Sequence, residues 1–456
     1  MIHPVSAHPL IRVVAGGRVI DPASGFDAVA DVWIADGTIE RIESKSGADL
    51  NDPAVIDARG LIVTPGFVDL HVHLREPGRE DEETVESGSA AGVRGGFTTL
   101  CCMPNTDPAI ADQGMVRFVL DRALSAPGRV HPIGAITRER EGEVLAEIAE
   151  MVAAGAIAFS DDGSPVENSG LLRRAMEYSR MFDVPIVSHC ETLSLALNGV
   201  MHEGLVSTIL GLRGIPAISE DICVARDIAL ARSTGARLHI AHVSTAGAVE
   251  IIRTAKAEGV RVTAEVTPHH LILTDDIIAR DFDPLFKVNP PLRTAEDVKA
   301  VREGLIDGTI DCIATDHAPH AWQEKDGEFD LAPFGMIGLE TALGVVQKAL
   351  IETGLMDWPA LVDCLTRRAA GAFSLPVGRL TAGCEADLVC FDPKAQWTVT
   401  DDSFVSKSKN SPYLGWTLNG VVRATLVAGR LVYRDAGSGH AAKVKHNRTE
   451  TQTANA

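Results

Sequence analysis

Residues 66–78, GFVDLHVHLREPG, place two histidines two apart at the end of an apolar run, with an arginine two further on. A β-strand alternates its faces with period 2, which predicts Asp69, His71, His73 and Arg75 on one face. If that face looks into a barrel, the two imidazoles converge on one point and Arg75 stands beside it at the rim. Paired imidazoles on a rigid strand suit a zinc-type ion, and a guanidinium beside them suits a carboxylate-bearing substrate. Two hydrogen-bonded core histidines would leave the same signature, so the rest of the chain decides.

Outward from this stretch, apolar strand candidates alternate with amphipathic helices. The strands are FVDLHVH, FTTLCCMPNT, RVHPIGAIT, AIAFSDD, PIVSHC, RLHIAHVS, RVTAEVTPHH and DCIATDHAPH. Between them EVLAEIAEMVAAG, SGLLRRAMEYSRMF, SEDICVARDIALARSTG and AGAVEIIRTAKAEG repeat apolar residues at i, i+3 and i+4, often closed by glycine. Eight such strands predict an α/β fold, a (β/α)8 TIM-type barrel over 65–376 whose C-terminal face carries the site. Residues 1–64 and 377–435 read instead as short strands, with Gly16-Gly17, Asp36-Gly37 and Ala428-Gly429 as turn signals. The two ends are expected to build one small β-sandwich domain, and the polar, patternless 436–456 a disordered tail.

Composition narrows the function. A net charge of −20 over 456 residues argues against nucleic acid, whose phosphates need a basic surface, but not against a small anion in one pocket. No run of about 18 apolar residues suggests a membrane span. The N-terminus MIHPVSAHPLIRVV lacks a charged region followed by an apolar one, which points to the cytoplasm. Eight cysteines without CxxC pairs support neither a zinc ribbon nor a disulfide framework, and read as small buried hydrophobes.

With the strands laid out this way, metal-type side chains fall at their C-terminal ends. His71 and His73 close the first, Asp161-Asp162 the fourth, His189 the fifth, His242 the sixth and Asp316 the eighth. Four histidines and two carboxylates are enough for two divalent ions with one carboxylate bridging. Nitrogen and oxygen ligands without thiolate favour zinc, with manganese, cobalt or iron as substitutes. Neighbours in a strand face opposite ways, so only one of Asp161 and Asp162 should reach the metals.

The order HxH, acid, histidine, histidine, aspartate resembles the amidohydrolase superfamily. GFVDLHVHLREPG, MPNT (103–106), DDG (161–163), HCE (189–191), AHVST (241–245), TAEVTPHH (263–270), NPPLR (289–293) and ATDHAPH (314–320) together resemble a class I dihydroorotase. The resemblance covers about residues 12 to 430. It implies a first zinc ion on His71, His73 and Asp316 and a second on His189 and His242. Asp162 and a hydroxide would bridge them, leaving Asp161 to face outward or brace the turn before Gly163. It further implies that Asp316 acts as base and then acid. Arg75, Asn105 and His320 would hold the substrate carboxylate, Asn289 would contact the ring, and the Phe334-Gly335 backbone would lie near it. Without the resemblance, Asn105 and Asn289 read as turn residues. The substrate pair implied is N-carbamoyl-L-aspartate and dihydroorotate, in pyrimidine synthesis. A homo-oligomer, and association with aspartate carbamoyltransferase, are also implied. The loop 321–335, AWQEKDGEFDLAPFG, follows the eighth strand and suits either a lid or a passive surface loop.

Two other functions compete. Hydantoinases and allantoinases usually carry a lysine at strand four and lack the Arg75, Asn105 and His320 set. A catalytically silent scaffold of the transcarbamoylase would have lost metal ligands, and here none is missing.

Overall fold

Alternating Val and Ile residues near the N-terminus form β1 (Val13–Asp21), β2 (Phe26–Ala35), β3 (Thr38–Glu43), β4 (Val55–Asp57) and β5 (Ile62–Pro65). The computed structural model describes residues 8–44 and 47–435, so the tail expected at 436–456 lies outside the described residues. Next come β6 (Phe67–Val72), β7 (Phe97–Cys102), β8 (Arg129–Pro132) and β9 (Ile186–Ser188). A short parallel pair, β10 (Met201–His202) and β11 (Gly214–Ile215), precedes β12 (Leu238–Ile240), β13 (Val262–Val266) and β14 (Cys312–Ile313). The chain ends in β15 (Leu388–Thr398), β16 (Thr417–Val427) and β17 (Arg430–Arg434).

The middle strands close a parallel ring. β6, β7 and β8 pair in order, as do β9, β12, β13 and β14. Phe159 joins the two arcs by parallel bridges to Gly134 and Ile186, and a Val72–His317 bridge shuts the ring. The fourth stave is therefore shorter than the strand expected over 156–162. It keeps the ladder through Gly134 N–H to the Ala158 carbonyl and Val187 N–H to that of Phe159, then turns away at the aspartates. An inner apolar cluster draws Val68, Leu70, Cys101, Val187 and Cys312 from around the ring, with Phe373 just after helix Arg367–Ala372. A larger one packs the helices on the outside, among them Ser169–Arg180, Ile218–Thr234 and Ala246–Ala257. The helix expected over 143–155 is only Ile148–Ala154, because Leu145 pairs with Thr137 and the Val144 carbonyl accepts from Arg138 N–H. Tertiary pairing there overrides helix propensity.

Both chain ends build the second layer, in the strand order β17-β16-β15-β5-β1-β2-β3, with β4 against β1. The sheet wraps a core of its own, including Val14, Val32, Ile39, Leu388 and Leu426. Gly16-Gly17 is not a turn, as its dipeptide suggested, but lies inside β1, where the register with β2 slips between Val14 and Gly17. Gly16 has φ +75°, the left-handed geometry of a bulge. The turn at Asp36-Gly37 does form, and it packs on the turn at Ala428-Gly429. A Cβ at Gly37 would sit 2.7 Å from the Ala428 carbonyl oxygen, so the two ends of the sheet meet only over glycine. All eight cysteines are free, and seven are buried. Among the described residues no helix is long and apolar enough to cross a membrane.

The barrel and the sheet domain are tied by Arg129 at the start of β8. Its Nε donates to Asp387 Oδ2 at 2.9 Å and its Nη2 to Oδ1 at 3.2 Å, while Ala428 N–H also donates to Oδ1 at 2.7 Å. Removing that carboxylate in Asp387→Ala should lower unfolding stability by about 1.5–3 kcal/mol, the range for hydrogen bonds to charged groups. A urea titration reads it, and a loss under about 0.5 kcal/mol, the scale of an ordinary surface substitution, would mean the joint is held elsewhere.

Candidate active site

Every expected metal-type residue lies at the C-terminal mouth of the ring, and all are buried. Asp162 is the centre. Its Oδ1 is 3.5 Å from His71 Nε2 and 3.6 Å from both His189 Nδ1 and His242 Nε2, and its Oδ2 is 3.6 Å from His73 Nε2. Asp316 Oδ1 lies 2.9 Å from His73 Nε2 and 3.5 Å from His71 Nε2. Two three-residue groups, His71/His73/Asp162 and Asp162/His189/His242, bring their ligand atoms close enough to hold a metal ion. Two atoms at the centre, His71 Nε2 and Asp162 Oδ1, are buried with no hydrogen-bond partner. Buried polar atoms are rarely left that way, and here they face each other across a space lined with nitrogen and oxygen. The arrangement fits cations between the imidazoles and the carboxylates.

The local field says the same. Burial alone would raise the Asp162 carboxyl, yet His71, His189 and His242 hold it well below the usual carboxylate range. Conversely, burial opposes a charged His71, but Asp162 and Asp316 drive its pKa well above the ordinary value. A buried site that keeps two carboxylates ionised draws positive charge to itself.

Local structure explains how the side chains converge. Strict alternation does not carry it, because the register between β6 and β7 shifts between Asp69 and Val72 and the strand ends at Val72. Asp69 stays out of the cluster; its Oδ1 accepts from His71 N–H at 3.1 Å and Thr315 N–H at 3.1 Å, pinning the first stave to the eighth. Arg75, His242 and Asp316 take left-handed φ of +59°, +33° and +49°. Such conformations cost of order 1–3 kcal/mol each and gather where geometry serves function.

Asp161 is also buried but points elsewhere. Its Oδ1 accepts from Ile136 N–H at 2.8 Å and Thr137 N–H at 3.1 Å, and its Oδ2 accepts from the Thr137 hydroxyl. It braces the third stave's exit, and does not face outward.

Two residues hold the histidines from behind: Glu265, which the sequence reading passed over, and Asn105, which it assigned only to the substrate. Glu265, the single acid inside β13, lies 2.8 Å from His71 Nδ1 and 3.1 Å from His239 Nε2. Burial favours its neutral form, but His239 and His71 win and bring its pKa to about 2. An ionised partner on Nδ1 fixes the tautomer that turns Nε2 inward. Asn105 does the same for His73, with Oδ1 2.7 Å from Nδ1, while its Nδ2 donates to Asp162 Oδ2 at 3.5 Å. An acid in the middle of an apolar strand was the available signal for Glu265.

Above the cluster opens a cavity of about 360 Å³. His73, Arg75, Asn105, Asp162, His189, His242, Asn289, Asp316, His320, Phe334 and Gly335 line it, which gathers every expected substrate residue into one space. Asn289 Nδ2 is 3.4 Å from His189 Nε2. His320 Nε2 is 2.8 Å from the Phe334 carbonyl. Arg75 Nε donates to the Pro319 carbonyl at 3.0 Å and lies 3.1 Å from Glu82 Oε2. The 321–335 segment is pinned at its base. Lys325 Nζ donates to the Pro333 carbonyl at 2.7 Å and the Pro284 carbonyl at 3.1 Å, and burial, with Lys287, pushes its pKa down to about 7. A second, more apolar cavity of about 490 Å³ at the start of β8 holds no metal-type cluster.

A parallel barrel with a His/Asp cluster at its mouth, joined to a sheet domain from both chain ends, is the architecture of the amidohydrolase class. The chain superposes on the L-hydantoinase (dihydropyrimidinase) from Arthrobacter aurescens with TM-score 0.81 and 27% identity, covering 93% of this chain and 96% of that one. A D-hydantoinase from Thermus sp. shares the fold, at TM-score 0.79 and 24% identity over 93% and 95% of the two chains. The family model for Dihydro-orotase-like proteins matches residues 60–248. The dihydroorotase of Pelotomaculum thermopropionicum is 52% identical over 425 residues, covering 93% of this chain and 98% of the relative. That of Anaeromyxobacter sp. (strain K) is 53% identical over 427 residues, with coverage of 93% and 98%. The chain belongs to the dihydroorotase family.

The two neighbouring aspartates should separate by experiment. Asp162→Ala should lose metal and activity together. Asp161→Ala should keep its metal stoichiometry but lose about 1–3 kcal/mol of stability by stranding the 136–137 donors. Metal analysis beside a denaturation curve reads both, and metal loss in the Asp161 variant would reassign the central carboxylate.

Proposed function

We propose that this protein is a zinc-dependent dihydroorotase that interconverts N-carbamoyl-L-aspartate and (S)-dihydroorotate in pyrimidine synthesis. One observation carries the reading. Arg75, Asn105 and His320, the set expected to hold a substrate carboxylate, line the same cavity as the imidazole–carboxylate cluster. A neutral cyclic amide has no group for that set, and relatives about half identical in sequence are dihydroorotases, whereas the hydantoinase likeness is one of overall fold.

In this reading His71, His73 and Asp316 would hold one ion and His189 and His242 the other, with Asp162 available to both. When bound, such ions acidify water near neutral pH and polarise a carbonyl oxygen. The chain's residues do the rest. Arg75 grips the carboxylate through its planar fork and so fixes the ring over the cluster. Asn105 and His320 share that anion, and Asn289 and the Phe334-Gly335 backbone set the ring's tilt. Asp316 is held ionised although buried, because His71 and His73 outweigh the cost of burial. It can therefore receive the proton of the attacking water and return it to the departing ring nitrogen, base first and acid second. In the ring-closing direction the same carboxylate takes the proton from the carbamoyl nitrogen as it attacks the side-chain carboxyl, and returns it to the departing hydroxide, which leaves as water.

A dihydroorotate hydrolysis assay with metal analysis tests this. Chelation should abolish turnover and zinc restore it, while full activity in a metal-free preparation would contradict the proposal. Arg75→Lys keeps the charge and loses the fork, so kcat/KM should fall by about 1.5–3 kcal/mol in transition-state terms with metal content unchanged. Near-normal efficiency in that variant would place the carboxylate elsewhere.

A further inference from the structure

Glu82 belongs to the acidic run Glu80–Glu83, a composition that by itself suggests a solvated surface. Instead its side chain is fully buried behind the wall of the cavity. Its Oε2 lies 3.1 Å from Arg75 Nε, and its Oε1 accepts from Arg79 Nη2 and lies 3.3 Å from His320 Nδ1. The backbone is held too, since the Ser408 hydroxyl donates to the Glu82 carbonyl at 2.8 Å. Glu82 does not line the cavity; its ligand atoms gather with those of His320 and Glu324, whose Oε2 also lies 3.3 Å from His320 Nδ1, and not with the six residues of the central cluster.

One carboxylate thus stands behind two of the three residues assigned to the substrate's carboxylate. A buried anion is expensive unless it is paired, and here its charged partners are Arg75, which faces the cavity, and Arg79, which does not, with the His320 imidazole alongside. The Arg75 Nε–H donates to the Pro319 carbonyl, and Glu82 Oε2 lies beside the same nitrogen at 3.1 Å as its counter-charge, without a hydrogen bond of its own. That leaves the Nη edge, with Nη2 3.4 Å from His320 Nε2, for the open side. A long arginine loses much rotamer freedom on binding, and fixing one edge beforehand removes most of that cost.

We propose that Glu82 is a positioning residue: its carboxylate orients Arg75 and His320 toward the incoming carboxylate and so sets the preference for anionic over neutral rings. This rests on the dihydroorotase reading of the same site. Glu82→Gln keeps the shape and removes the charge. For this variant KM for dihydroorotate should rise by about tenfold or more, with kcat within about threefold, as expected when binding of a charged group is weakened. Orotate affinity should fall in step while that of uracil, the same ring without the carboxylate, stays unchanged. Zinc content should match the wild type, while the melting temperature should fall because the buried Arg75 loses its counter-charge. Unchanged orotate affinity, or equal loss for orotate and uracil with loss of zinc, would overturn the proposal in favour of a purely structural Glu82. If Glu82→Gln does not fold, Glu82→Asp decides: the charge is kept but withdrawn from Arg75, so orotate binding should weaken with zinc retained, and wild-type affinity overturns the proposal. A wild-type enzyme that fails to hydrolyse dihydroorotate would overturn the functional reading itself, whereas an active wild type with an indifferent Glu82→Gln overturns only this inference.

Discussion

Four imidazoles and two ionised carboxylates are packed into a dry barrel mouth, and this crowding is the constraint on which the remaining features depend. Two of the atoms at its centre, Asp162 Oδ1 and His71 Nε2, face each other without a hydrogen bond. Buried polar atoms left unpaired in this way persist only if the scaffold holds them or a cation joins them. The scaffold visibly holds them. Glu265 and Asn105 fix the rear nitrogens of His71 and His73, Asp69 ties the first stave to the eighth, and left-handed backbones aim His242 and Asp316. Each device would be waste in a barrel whose mouth were merely closed.

The substrate side is built by the same logic at longer range. Arg75 lies just beyond the strand that supplies His71 and His73, so carboxylate recognition and the cluster share one rigid support. The Pro319 carbonyl accepts from its Nε with Glu82 beside it as counter-charge, and Lys325 pins the loop that brings Phe334 and Gly335 to the cavity. Electrostatic preorganisation of this kind removes reorganisation from the reaction step, where it would otherwise slow turnover.

The barrel was legible in the sequence because its strands are buried on both faces and read as apolar runs ending in chemistry-bearing residues. The six metal-type residues followed, since strand ends fix where side chains must gather. What was not legible depends on contacts distant in sequence. The choice between Asp161 and Asp162 turns on donors from 136–137, and the rear partners Glu265 and Glu82 are invisible without knowing what they touch. Gly16-Gly17 misread as a turn because a bulge and a hairpin ask for the same left-handed glycine. The helix at 148–154 is shorter than its periodicity because Leu145 is drawn into a bridge with Thr137.

The account's central claim is that Asp162 stands between two metal ions at the barrel mouth. Anomalous diffraction from crystals grown with zinc, recorded on both sides of the zinc edge, tests it directly. Two peaks flanking the Asp162 carboxylate, one toward His71, His73 and Asp316 and one toward His189 and His242, are the expected result. A map without zinc at Asp162, or with the metal bound away from these six residues, would contradict it.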